Sequence, residues 1–84
     1  MRSYALELAN LLREYALLAT PEGATVTVEV RNGIEAWYVN ILLEGGLGIK
    51  LPIHYNQPIE VIEKQANEAY TKILELFKAA CLKL

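Results

Sequence analysis

The sequence predicts an α+β fold of order α-β-β-β-α, a three-stranded antiparallel sheet with two helices packed on one face. Two observations carry that expectation. Apolar residues recur every three or four positions towards both ends of the chain, the period of amphipathic helices. Between them, residues 24–53 alternate apolar and polar side chains in three short runs, broken by Asn32-Gly33 and by Glu44-Gly45-Gly46. A chain of 84 residues has room for one core, so residues 1–84 are read as a single domain.

The first helix is expected over Ser3–Ala19. Tyr4, Leu8, Leu11, Leu12, Tyr15, Leu18 and Ala19 share one side, and Glu7, Asn10, Arg13 and Glu14 the other. Ser3 is the expected N-cap. Thr20-Pro21-Glu22-Gly23 ends the helix, because proline disfavours helical geometry in the residue before it and glycine supplies the turn. Leu6 and Leu17 fall off the main stripe, which makes the apolar arc wider than one small sheet needs.

The hairpin follows. An Asn-Gly pair is a strong hairpin signal, since both central positions of a type I′ turn need positive φ. Pairing outward from Asn32-Gly33 sets Arg31 opposite Ile34, Val30 opposite Glu35, Val28 opposite Trp37 and Val26 opposite Val39. One face then carries Val26, Val28, Val30, Trp37, Val39, Ile41 and Leu43. The solvent face carries Thr25, Thr27, Glu29, Arg31, Ile34, Ala36, Tyr38, Asn40, Leu42 and Glu44. A three-residue loop at Glu44-Gly45-Gly46 pairs Leu43 with Leu47, Ile41 with Ile49 and Val39 with Leu51, and Pro52 suits an edge strand.

In the last helix, Asn56 or Gln57 is the expected cap, with Pro58 in the first turn and Glu60 and Glu63 near the positive end of the dipole. Ile59, Ile62, Ala66, Ala69, Tyr70, Ile73, Phe77, Ala80 and Leu84 form the expected inward stripe. The helix would run about 40 Å at 1.5 Å per residue, against about 17–30 Å for the strands. Its last turns, with Leu74, Leu76, Cys81 and Leu82 outside the stripe, are therefore expected to overhang the sheet.

Composition narrows the function classes. Apolar residues make up 54% of the chain, high for so small a domain, which points to self-association. Ten glutamates and no aspartate face eight lysines and arginines, and the net charge of −2 gives no bulk attraction for nucleic acid. Cys81 is the only cysteine, which fits a reducing compartment. No apolar run approaches the ~20 residues that span a bilayer. Arg2, Glu7, Asn10 and Arg13 interrupt any signal-peptide core, so a cytoplasmic location is expected.

The element order resembles that of the double-stranded-RNA-binding domain and of small ribonuclease toxins of the HicA type, a likeness of topology over most of the chain. The first resemblance implies a lysine cluster gripping phosphates at the start of the last helix. That segment reads Gln57-Pro58-Ile59-Glu60-Val61-Ile62-Glu63-Lys64, with Glu60 and Glu63 where lysine is wanted. The second implies a histidine poised for RNA cleavage. His54, the only histidine, follows the third strand instead of lying near the second, and lacks the second group that acid–base catalysis needs.

Other chemistry runs out of residues. Without aspartate there is no Ser-His-Asp triad. Cys81 falls in the last turns of the final helix, where packing or an oligomer contact is its expected role. Gly45-Gly46-Leu47-Gly48 joins two strands and opens no helix, so it reads as a turn rather than a phosphate loop. No catalytic residue, metal or cofactor is expected.

What remains is the solvent face of the sheet. Trp37 points to the core. Tyr38 points outward, opposite Thr27 and near Asn40, Leu42 and Lys50, and tyrosine is enriched in interface hot spots. Thr27, Tyr38, Asn40, Leu42 and Lys50 are the expected protein-binding residues. Leu6, Leu17, Leu74, Leu76, Cys81 and Leu82 are the expected self-association residues on the helices. The expected function is a non-enzymatic protein-interaction module whose partners are itself, as a homodimer or higher oligomer, and a protein target, with neither nucleic acid nor membrane. Small motif-free chains of this kind are common among phage and mobile-element inhibitors of host enzymes or defence systems. The alternatives are a nucleic-acid module of the double-stranded-RNA-binding or HicA-like type, and an oligomer that closes over a small planar ligand.

Overall fold

The computed structural model describes residues 1–83, without the side chains of residues 82 and 83, so the roles expected of Leu82 and Leu84 lie outside the described residues. Helix α1 spans Arg2–Ala19, strands β1, β2 and β3 span Val26–Asn32, Ala36–Leu43 and Gly48–His54, and helix α2 spans Ile59–Lys83. The strands form one antiparallel sheet in the order β1-β2-β3. This is the expected α+β fold. α1 lies over β1 and β2, and α2 over β3. Together they bury Val39, Ile41 and Leu43 of β2 with Leu51 and Ile53 of β3.

The β2–β3 register is the expected one, with Ile41 opposite Ile49 and Val39 opposite Leu51. Leu43 N–H donates to the Leu47 carbonyl at 2.7 Å, and Gly45 and Gly46 turn the chain at φ of 108° and 97°. Glycine takes that backbone without a Cβ penalty.

The β1–β2 register differs from the expectation. Val26 pairs with Leu43, Val28 with Ile41, Val30 with Val39 and Asn32 with Trp37. The loop tip therefore lies at Ile34-Glu35 instead of Asn32-Gly33, and Glu35 takes a left-handed φ of 59°. Packing decides the matter. The Asn-Gly register would leave Leu43 facing Glu22 and Val30 facing Glu35, whereas the observed one faces every β1 valine with a core residue of β2. That burial, of order 1 kcal/mol per added methylene, outweighs the ~1–2 kcal/mol of a left-handed non-glycine residue. Because the offset is an even number of residues, side chains keep their faces. Ala36 is the exception. Expected in solvent, it is buried at the base of the loop, where its carbonyl accepts from Gly33 N–H at 2.9 Å.

α1 is rotated by one residue, about 100°, from the expected stripe. Ala5, Ala9, Leu12 and Ala16 face the sheet, and their small side chains bring the helix close. Tyr4, Leu8, Tyr15 and Ala19 pack at the margin of the core, while Leu11 and Leu18 point to solvent, Leu18 at 87% exposure. Leucines dominate the apolar arc, but the helix has two neighbours to satisfy. Tyr4 and Tyr15 turn to α2, and the alanines take the sheet. Ser3 does not cap α1: the helix begins at Arg2, and Ala5 N–H donates to the Met1 carbonyl.

α2 buries Ile62, Ala69, Ile73, Leu76 and Phe77. Ile59 and Tyr70, expected inward, are exposed, the first because it precedes the covered turns and the second because it reaches sideways to α1. Ala80 still packs against the core, so burial follows the helix further than the expected overhang allowed. The Pro58 carbonyl receives Val61 N–H and Ile62 N–H at 3.0 and 3.1 Å, which makes Pro58, not Asn56 or Gln57, the residue that opens the helix. Among the described residues, no helix is long and apolar enough to cross a membrane.

Candidate interaction surface

Register places the outer-face side chains in cross-strand rows. Arg31, Tyr38 and Pro52 form one, Glu29, Asn40 and Lys50 the next, and Thr27, Leu42 and Gly48 the third. The five expected binding residues are thus neighbours on one face, although Tyr38 lies opposite Arg31 rather than Thr27.

Tyr38 is fixed from two sides. The edge of its ring meets Gly33, where a Cβ would run into the ring atoms. Lys50 Nζ sits 4.4 Å from the ring centroid, a cation–π contact worth ~0.5–1 kcal/mol at an exposed site. Asn40 is the centre of the face. Its Oδ1 is buried with no hydrogen-bond partner among the described residues. An unmet acceptor of this kind costs ~1–3 kcal/mol until something donates to it. Leu42 beside it is 54% exposed, and Thr27 and Lys50 are exposed. At the rim, Arg31 Nε donates to Glu29 Oε2 at 2.9 Å.

The residues expected to self-associate scatter. Leu17, Leu74 and Cys81 are exposed and Leu6 is half-buried, but Leu76 belongs to the core and offers no surface. Leu11, Leu18 and Tyr70 join the exposed apolar residues of the helical layer instead.

His54 is held through its backbone. Gln65 on α2 accepts from His54 N–H at 3.0 Å and donates to its carbonyl at 3.1 Å, pairing with the β3 edge as a further strand would. The imidazole has no part in this clip. Among the described residues, no group of three or more His, Cys, Asp or Glu is placed to hold a metal ion.

Three contacts join the helices to each other and to the sheet. Tyr4 donates to Glu63 Oε2 at 2.9 Å, and that bond, reinforced by desolvation and by the charges of Glu63 and Glu7, raises the phenol above its ordinary pKa of 10.0. Tyr15 and Tyr70 lie 4.3 Å apart between ring centroids, and Tyr70 raises the Tyr15 phenol likewise. Trp37 faces the core side but is only half-buried. Its Nε1 donates to the Arg2 carbonyl, and the Arg2 guanidinium lies 5.3 Å from the Trp37 ring and 5.5 Å from that of Tyr55.

Neither the Gln65 clip nor the Arg2 stack was legible beforehand, because both join residues with no shared period or motif. Gly33 did carry a signal, which turn chemistry claimed first. Comparison with protein-family models, curated proteins and solved structures finds no match to this chain.

Proposed function

We propose that this chain is a non-enzymatic protein-interaction module that acts as a homo-oligomer and receives its protein target on the outer face of the sheet. The observation that carries this reading is Asn40 Oδ1, a buried and unpartnered acceptor at the centre of a face no other element covers. A partner that donates to it, packs on Leu42 and lies against the fixed Tyr38 ring satisfies all three at once. Preorganisation by Gly33 and Lys50 lowers the ordering cost of binding. Glu60 and Glu63, both exposed at the start of α2, support a protein target over a phosphate backbone. Inhibition of a host enzyme or defence system is the form of this role that the chain's small size and lack of catalytic apparatus suit.

The test is affinity capture from the native host with wild type, Tyr38→Ala and Leu42→Glu. A hot-spot residue is expected to cost about thirtyfold in affinity, the equivalent of ~2 kcal/mol. Capture undiminished in both variants would refute the choice of face. Salt-sensitive binding to RNA or DNA would move the assignment to a nucleic-acid module.

A further inference from the structure

We propose that β1 is a pairing edge whose occupant is a second copy of this chain, docked antiparallel about a two-fold axis at Val30. This rests on the reading of the protein as a self-associating module, and it names the surface that does so.

The ladder fixes which backbone groups point outward. Gly33 N–H donates to the Ala36 carbonyl and Glu44 N–H to the Thr25 carbonyl, both at 2.9 Å. Odd-numbered residues of β1 therefore direct their N–H and C=O to β2, and Val26, Val28, Val30 and Asn32 direct theirs away from the sheet. Among the described residues, no hydrogen bond reaches the outward groups of Val26, Val28 and Val30. β1 has no proline and no lysine, two of the usual means of discouraging an edge from pairing.

Charge complementarity selects both occupant and register. Glu29 and Arg31 stand two residues apart on the outer face, flanking Val30. An axis at Val30 sets Glu29 opposite Arg31 of the second copy and Arg31 opposite its Glu29, giving two opposite-charge cross-strand pairs. An axis at Glu29 would oppose like charges, and one at Val28 would set both charges against threonine. On the helix side, a shallow groove runs between α1 and β1, lined by Asn10, Arg13, Val28 and Val30. Arg13 Nε is buried there without a partner among the described residues. The axis at Val30 places Asn32 of the second copy opposite Val28, where its amide oxygen comes to this groove and supplies an acceptor. Such a contact is isologous and closes on itself as a dimer. The sheet becomes six-stranded, with two Tyr38–Lys50 pairs on one continuous outer face.

Sedimentation velocity across a concentration series tests this. Wild type is expected to dimerise, with the amides of Val28, Val30 and Asn32 gaining protection from hydrogen exchange as concentration rises. Glu29→Arg and Arg31→Glu should each weaken the dimer about tenfold or more by opposing like charges. An equimolar mixture of the two should restore it, since each then faces its opposite. Val30→Pro should abolish it while keeping the monomer's circular dichroism, because the N–H it removes points away from β2. A dimer that none of these variants weakens, but that Leu18→Glu breaks, would overturn the β1 assignment and leave self-association standing through the helices. A wild type that stays monomeric at the highest concentration would overturn both.

Discussion

The sheet has two edges, and they are finished differently. On β3 the outward backbone groups are closed at the C-terminal half, where Pro52 has no N–H to offer and Gln65 takes both the N–H and the C=O of His54. Gly48 and Lys50 keep theirs among the described residues. On β1, Val26, Val28 and Val30 keep theirs among the described residues, and the charged side chains of the strand are a glutamate and an arginine of opposite sign. An unpaired edge is a standing template for another strand. Blocking half of one edge while leaving the other open limits how copies can add. Two copies can meet along β1, but a third finds β3 interrupted by Pro52 and the Gln65 clip. The difference between the edges thus bears on assembly size as well as on docking site.

Three measurements press on this contrast, apart from the dimerisation test. The largest expected effect comes from Gln65→Leu, which removes two hydrogen bonds from β3 and should cost about 1–2 kcal/mol in urea unfolding. An unchanged midpoint would mean that Pro52 alone guards that edge. Next is Glu35→Gly at the hairpin that carries β1. Relieving a left-handed non-glycine residue should raise stability by about 1 kcal/mol. A loss instead would show that the Glu35 side chain helps to set the register, and that valine packing is not sufficient.

The smallest effect lies on α2, which delivers Gln65 to β3 and is tied to α1 two residues earlier through Glu63. The Tyr4 phenol has a raised folded-state pKa, chiefly because it donates to Glu63. Its contribution is therefore complete below the unfolded value of 10.0 and fades as pH rises through the higher folded value. Absorbance titration should show Tyr4 and Tyr15 ionising late, and Glu63→Gln should return only Tyr4 to the ordinary range. Two late tyrosines persisting in Glu63→Gln would remove Glu63 as the cause.

The elements and their order were legible because each rests on a local signal: helical period at both ends, alternation between, and glycine at the second turn. Face membership of the expected binding residues was legible too. Alternation assigns faces by parity, and the four-residue difference in β1–β2 register left parity intact. Partners within the face were not legible, since they depend on register, and register was settled by valines meeting Val39, Ile41 and Leu43 across the sheet. Local turn chemistry at Asn32-Gly33 could not see those contacts. The rotation of α1 escaped for a related reason. Periodicity marks where large apolar side chains gather, and here they gather beside the contact with the sheet while alanines make it. Gln65 and Arg13 look like ordinary surface polar residues until the sheet edges beside them are in place.

The Tyr38 ring edge resting against Gly33 has a consequence for spectroscopy. A proton held at the edge of an aromatic ring, close to its plane, is deshielded by the ring's induced field, so the Gly33 α-proton that points at Tyr38 should resonate downfield of an ordinary loop glycine. Any partner that draws Tyr38 off its glycine would shift that resonance, and the molecule carries its own probe of an occupied outer face.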